Sequence, residues 1–319
     1  MLIIVSFFSR IRFFWIYPIL VLIFACRIVP GFLALHWKKE NQEEPQLKVL
    51  SYNVGTFNLD RFHSSDTIRL SDSIIIARQQ EFLKTCKADV ICLQEFYNND
   101  ALSFSTTLNE MTDIGYKYFY TNPIRIEGYE GFFGVITFSK FPIADKGKIT
   151  FEYKENKRAL NTAIYTDIVV GKDTIRVINV HLHSMDLRAK RVLSSLPSDT
   201  LGKELDLFKA KMEYGFMKRG IQVQTLEKEV LKKPGHKILV GDLNDMPYSF
   251  SYLTIRKYLL NSFEEGGNGF GFTYNKFPWF IRIDNQFFSP SIEINSYEVL
   301  KENHLSDHYP VVAGYNVKK

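Results

Sequence analysis

The chain has 319 residues, 45% of them apolar and 24% charged, a globular balance that excludes wholesale disorder, a collagen-like repeat and a polytopic membrane protein. Forty Lys plus Arg against thirty-five Asp plus Glu leave a net charge of +5, too small an excess to call for a nucleic-acid partner by itself. The cysteines Cys26, Cys86 and Cys92 show neither metal-ligand pairing nor a disulfide framework, and the last two read as small buried side chains.

The first feature along the chain is the uncharged run Phe13 to Cys26, continued after Arg27 by the apolar stretch Ile28 to Trp37. The first run alone is too short to cross about 30 Å of hydrocarbon. Phe13 to Trp37 is long enough if Arg27 snorkels or faces a partner. Residues 1–37 are therefore expected to form a membrane anchor or uncleaved signal segment. Arg10 and Arg12 favour an N-inside orientation, which puts the main domain outside the cytoplasm. No small-residue cleavage site is evident before Gln42, Ile23 to Cys26 resembles a lipobox only loosely, and Pro18 and Pro30 argue against a helix buried in the fold. Residues 38–46 read as a polar linker and residues 47–319 as the catalytic domain.

From Leu47 onward the apolar runs are short and rich in β-branched and aromatic residues. Strands are expected at Leu47 to Val54, Asp89 to Leu93, Phe132 to Phe138, Ala159 to Val169, Thr174 to His181, Lys237 to Val240, Ile281 to Phe288 and Pro310 to Tyr315. Helical patterns lie at Ser73 to Thr85, Ala101 to Met111, Glu204 to Leu231 and Ser249 to Leu259. The order is neither strict β-α-β nor all-β, so a mixed α/β sandwich is expected. Gly266 to Gly271 reads as a flexible loop.

Several strands end in polar residues that a half-buried sheet does not need: Ser51-Tyr52-Asn53, Leu93-Gln94-Glu95, Asn179-Val180-His181 and Gly241-Asp242-Leu243-Asn244. Arg282-Ile283-Asp284 and Ser306-Asp307-His308-Tyr309-Pro310 add to them. Oxygen donors without cysteine pairs suit Mg²⁺ or Mn²⁺ rather than structural zinc. A phosphate ester is anionic and resists attack by water. Its hydrolysis calls for a metal, a base and cationic donors, and this set supplies each.

Together with Gly134 to Ile143 (G-x-x-x-x-S-K-x-P-I), these motifs stand in the order in which they occur in the endonuclease/exonuclease/phosphatase superfamily, which the chain resembles from about Leu47 to Tyr315. With its N-terminal segment it resembles a bacterial, membrane-anchored type. The resemblance implies the DNase I-like fold, a four-layer α/β/β/α sandwich with two mixed β-sheets. It implies Glu95 as the main metal ligand, with Asn53 and Asp307 in or near the coordination shell. Asp242 would orient or deprotonate the attacking water, and Asn244 would hydrogen-bond a phosphate oxygen or the nucleophile. His308 and His181 would donate to phosphoryl oxygens, and Asp284 would keep His308 oriented and charged. The family commonly has an aromatic and aliphatic run where this chain has Asn285-Gln286.

His181 and His183 stand two apart on a strand, so only one can face the site; the resemblance selects His181. Phe270 to Phe280 reads either as core or as a substrate-contacting or membrane-facing loop. Lys203 to Lys233 reads as a solvated helix face, since Glu204, Asp206, Glu213, Glu227 and Glu229 interleave with its cations. The expected function is a metal-dependent phosphoesterase acting by in-line attack of water on a phosphate ester, a lipid headgroup or small phosphoester. The alternatives are a Mg-dependent nuclease acting on DNA or RNA, and a catalytically silent, membrane-anchored binding module. No protein partner is inferable.

Overall fold

The short apolar runs build two six-stranded sheets in the computed structural model, which describes residues 16–36, 44–55, 70–98, 107–124, 132–151, 162–184, 201–276 and 279–318. The helices are α1 (Ile16–Ile28), α2 (Leu70–Thr85), α3 (Thr107–Asp113), α4 (Leu201–Leu226), α5 (Phe250–Arg256) and α6 (Ser262–Gly266). The strands are β1 (Leu33–Leu35), β2 (Leu47–Asn53), β3 (Val90–Asn98), β4 (Tyr118–Thr121), β5 (Phe132–Ser139), β6 (Ile143–Ile149) and β7 (Thr162–Val170). They continue with β8 (Asp173–His181), β9 (His236–Asp242), β10 (Leu260–Asn261), β11 (Asn268–Phe270), β12 (Asp284–Phe288), β13 (Ile292–Val299) and β14 (Val311–Val317).

One sheet runs β13-β14-β2-β3-β5-β4 and the other β10-β12-β9-β8-β7-β6. Each is mixed, with one parallel pair, β2 with β3 and β8 with β9. The two sheets face each other through Val49, Val90 and Val311 from the first and Val177, Ile238 and Val240 from the second. Leu83 of α2 and Met111 of α3 pack with Ile91 and Phe138 on the outside of the first sheet. Val223 and Leu226 of α4 and Ile255 of α5 pack with Val180 and Leu239 on the outside of the second. These are the four layers expected from the sequence.

The two parallel pairs place the site. In register, Asn53 lies opposite Gln94 and His181 opposite Asp242, while antiparallel β12 sets Asp284 opposite Asp242. The polar strand ends of both sheets therefore meet at one edge of the sandwich. Asn285 and Gln286, the departure from the family run, are buried and bonded: Gln286 Nε2 donates to the carbonyls of Val49 and Val311 in the opposite sheet. The position thus carries a polar tie between the sheets.

Several short or edge strands escape the sequence pattern. Strands β4 and β6 lie at sheet edges with largely exposed or half-buried faces, so they lack the apolar run that marks a central strand. Gly266 to Gly271 is also more ordered than a loop. Its residues Asn268–Phe270 pair with Leu33–Leu35, and His36 N donates to the Gly267 carbonyl.

That pairing corrects the expectation of one apolar helix from Phe13 to Trp37. Helix α1 ends at Ile28 and passes through the 3₁₀ turn Val29–Gly31 into β1. Pro30 has no amide hydrogen to continue the helix, and the polar atoms of Gly31 are taken by the domain. The 13 described residues of α1 extend about 20 Å, short of the hydrocarbon thickness. Among the described residues no helix is long and apolar enough to cross a membrane. Arg10, Arg12, Phe13 to Trp15, Trp37 and 38–43 of the expected linker lie outside the described residues, as do Ala101 to Thr106 and Ala159 to Asn161.

Candidate active site

Asn53 closes β2. Its Nδ2 donates to Glu95 Oε1 at 3.2 Å and to Asp242 Oδ2 at 3.1 Å, joining the two sheets, while its Oδ1 accepts from Gly55 N at 3.0 Å. Glu95 sits where the β3–β5 register slips between Leu93 and Phe96, with φ +52. A left-handed conformation at a non-glycine residue costs about 1–3 kcal/mol and persists where the surroundings impose it. The bulge turns the Glu95 carboxylate to the sheet end instead of burying it in a layer.

Beneath these residues Gln94 Nε2 donates to Asn179 Oδ1 at 2.7 Å, and Asn179 Nδ2 donates to the carbonyls of Leu93 and Ile136. This amide floor locks β8 against β3 and β5 just below His181. Gly241 has φ +134, and a Cβ there would stand 2.0 Å from the Val180 carbonyl oxygen, so only glycine lets β9 approach β8 at this level. Asp242 follows, fully buried. Its Oδ1 accepts from Asn244 N at 2.7 Å and its Oδ2 from Asn244 Nδ2 at 3.2 Å. Asn244, at φ +49, also donates to the Leu182 carbonyl.

From the opposite wall, His308 Nδ1 lies 2.8 Å from Asp284 Oδ2, and its Nε2 lies 3.8 Å from Asp242 Oδ2. His181 Nε2 lies 3.7 Å from Glu95 Oε1 and 3.9 Å from Asp242 Oδ2. It is buried and makes no hydrogen bond among the described residues, as is also true of Asp284 Oδ1. Asp307 joins the group through Ser306, whose hydroxyl donates to the Asn53 carbonyl and lies 3.4 Å from Asp307 Oδ1. Asn275 holds this loop, donating from its backbone to the Asp307 carbonyl and from its side chain to that of Ser306. The Tyr274 ring meets the His308 imidazole edge-on at 5.2 Å.

The electrostatics separate the two histidines. Burial opposes charging of His308, yet the carboxylates of Asp284 and Asp242, the bond to Asp284 and the nearby Asp307 outweigh it and raise its pKa well above the usual imidazole value. For His181 burial wins and lowers the pKa, against the pull of Asp242. Burial, partly offset by His308, pushes the Asp242 carboxyl up to about 6. The site therefore holds a cationic imidazole, a neutral one and a carboxylate poised near neutrality, an arrangement suited to proton transfer.

Asp242, Asp284 and His308 offer ligand atoms within 4.8 Å of one another, close enough to surround a cation. His308 and Asp284 of this set, however, are already joined to each other by the Nδ1–Oδ2 hydrogen bond. Glu95 and Asn53 fit a metal better. Their oxygens suit hard divalent ions, and the Glu95 carboxylate, its side chain 31% exposed, is far more open than those of Asp242 and Asp284 at 1% and 2%.

The structure thus brings Asn53, Glu95, His181, Asp242, Asn244, Asp284 and His308 into direct contact, with Asp307 behind Ser306. His183 lies half-buried outside the group, its ring against Tyr214. The sequence reading missed Arg219. Far from lying on a solvated face, it is fully buried, donates to the His183 carbonyl at 3.0 Å, and pairs with the buried Asp245 at 3.2 Å. The signal was present: Arg219, Gln222, Val223 and Leu226 share one helical stripe, so the cation occupies a core position.

The sequence profile of the Endonuclease/Exonuclease/phosphatase family matches residues 50–308. No curated protein matches the sequence. Among solved structures, an endonuclease/exonuclease/phosphatase from Bacteroides vulgatus is similar with a TM-score of 0.60 at 14% identity, over 85% of this chain and 99% of that one. A mannosyl-6-phosphatase from Bacteroides thetaiotaomicron gives 0.53 at 17% identity, over 85% and 99%. TDP2 of D. rerio, complexed with a single-strand DNA product, gives 0.55 at 14% identity, over the same shares. At these identities the likeness is one of fold, and it spans a sugar-phosphate and a DNA enzyme.

Proposed function

Because the chain belongs to the endonuclease/exonuclease/phosphatase family, we propose that it is a divalent-metal-dependent phosphoesterase, hydrolysing a phosphate ester by in-line attack of water. The family consists in general of metal-dependent hydrolases of phosphoesters and nucleic acids. The observation that carries the reading for this member is the meeting of Asp242 with His308, His181, Asn53 and Asn244 at one edge, each within 4 Å. A silent binding module has no need to keep a buried carboxylate at the centre of two imidazoles and two amides.

Glu95, with Asn53 beside it and Asp307 nearby, would hold the ion, Mg²⁺ or Mn²⁺ by the hardness of its donors. When bound, such a cation neutralises phosphoryl oxygens and the charge that develops in the transition state. Asp242 takes the proton of the attacking water and is oriented for it by Asn244 and Asn53. His308, held protonated by Asp284, donates through Nε2 to a phosphoryl oxygen. His181 donates through its unpaired Nε2 to a second oxygen, which requires the proton on that nitrogen. No side chain needs to form a covalent phospho-enzyme.

The substrate favoured is a lipid headgroup or small phosphoester, since the net charge of +5 is too weak to build a nucleic-acid track. The test is hydrolysis by the full chain with Mg²⁺ or Mn²⁺ against phospholipid headgroups, sugar phosphates and single-stranded DNA, with Asp242→Asn and His308→Ala beside it. Turnover of one class, lost in both variants, is expected. Preferential, steeply salt-sensitive turnover of DNA would instead identify a nuclease. Folded protein with no turnover and no calorimetric binding of millimolar Mn²⁺ would overturn the reading.

A further inference from the structure

Over residues 19–23, helix α1 is left uncovered by the described residues. Ile19, Leu20, Val21, Leu22 and Ile23 are consecutive and all exposed, and five successive residues circle a helix completely. An apolar helix exposed on every side gains nothing from water and requires an apolar medium.

The place where this helix leaves the domain is fixed by two residues close in the chain to site residues Asn244 and Asp284. Gly31 N donates to the Tyr248 hydroxyl oxygen at 3.1 Å, and the Gly31 carbonyl accepts from Arg282 Nη2 at 2.7 Å. Tyr248 is four residues beyond Asn244 and Arg282 two before Asp284. A Cβ on residue 31 would lie 2.5 Å from the Tyr248 ring, so glycine is what allows this close seat. Strand β1 then pairs with β11, Leu33 opposite Phe270.

Exposed apolar side chains flank this seat on both sides. Met246 and Phe250 follow the Asn244 loop; Phe270, Trp279 and Phe280 stand beside β11 and lead to Tyr274 and His308. All five are between 44% and 61% exposed. The rings on the second side form one connected set, Phe270 on Phe272, Phe272 on Trp279, and Trp279 on Phe280. Such a rim, linked through β1 to the exposed apolar residues 19–23 of α1, exceeds the scattered exposed hydrophobics normal for a soluble surface.

We infer that this rim docks on a phospholipid bilayer, with α1 in the bilayer and the mouth of the site turned toward it, so that the enzyme takes its phosphoester from the membrane surface. The occupant is a bilayer because β1 links the rim to α1, whose five consecutive exposed aliphatic residues call for an apolar medium all round the helix rather than for one complementary protein face. Aromatic residues, moreover, are favoured at the lipid–water boundary. The contact itself rests on geometry alone; only the substrate class rests on the phosphoesterase reading.

The test keeps the full chain. With Trp15→Phe and Trp37→Phe, Trp279 is the sole tryptophan, and the protein is reconstituted into phosphatidylcholine vesicles or single-copy nanodiscs with plain or brominated acyl chains. Trp279 emission is expected to shift to the blue and to be quenched by bromine in both. Emission indifferent to bromine would overturn the inference. Quenching-independent blue shift that vanishes in single-copy discs would also overturn it, assigning the rim to a second copy. In a second arm, Phe250→Ser with Trp279→Ser is assayed on hexadecyl nitrophenyl phosphate in vesicles and on water-soluble ethyl nitrophenyl phosphate. Turnover of the vesicle-borne ester is expected to fall about 10-fold or more, while that of the soluble ester stays within about twofold. Equal loss on both esters would overturn the inference. Absence of turnover on either ester would count against the phosphoesterase reading, and the quenching arm decides the membrane contact independently.

Discussion

His308 and Asp284, 24 residues apart in sequence, face each other through Nδ1 and Oδ2 at 2.8 Å, and this contact fixes which imidazole of the site is charged. Its effect can be read without activity. In the chelated protein the His308 ring is expected to titrate above the ordinary imidazole value and His181 below it, and Asp284→Asn should bring His308 down. Proton NMR of the ring C–H signals measures all three. The raised value also sets a sign for stability: the contribution of a charged His308 is full below about pH 6.5 and is lost as pH rises through its folded value. The stability difference between the wild type and Asp284→Asn should accordingly shrink as pH rises above about 6.5 in denaturant titrations.

Asp242 is touched by both amides and both imidazoles of the site. Its replacement by Asn keeps shape and burial while removing the base. Turnover is expected to drop about 10²–10⁴-fold with little loss of stability, and a parallel measurement of kcat and thermal midpoint checks both halves of the statement.

Glu95 carries a separable pair of effects because its backbone is left-handed. Glu95→Gly removes the carboxylate and relieves the φ +52 conformation. Calorimetry should show Mn²⁺ affinity reduced by about 10-fold or more. Chemical denaturation in chelator should show a protein no less stable than the wild type. A variant that unfolds more easily would show that the bulge is held by the Glu95 side chain.

Arg219 and Asp245 form a buried pair behind the Asn244 loop, and removal of one partner strands the other. Arg219→Met is expected to destabilise by about 3–5 kcal/mol. The double variant Arg219→Met with Asp245→Leu should recover much of that loss, and a denaturation cycle across the four proteins gives the coupling.

Much of this site was legible in the sequence, since each central strand announces itself by a local apolar run and β2, β3, β8 and β9 also end in polar residues. Strands β2, β3, β5, β7, β8, β9, β12 and β14 were all visible in this way, because a strand buried on both faces needs apolar or β-branched residues throughout. The edge strands β4 and β6 were not, because water on one face removes that demand. Arg219 was misplaced because its neighbours in sequence are charged while its neighbours on the helix face are apolar.

By itself the sequence determined the core strands, the order of the polar motifs and the residue types at the site, all properties of short windows governed by side-chain periodicity. Only the tertiary structure decided that His181 Nε2 makes no hydrogen bond among the described residues, that Arg219 lies inside, and that Arg282 and Tyr248 seize Gly31. The contacts of Gly31 join residues 217 and 251 positions apart. Their partners are chosen by sheet register and layer packing, which no local window contains.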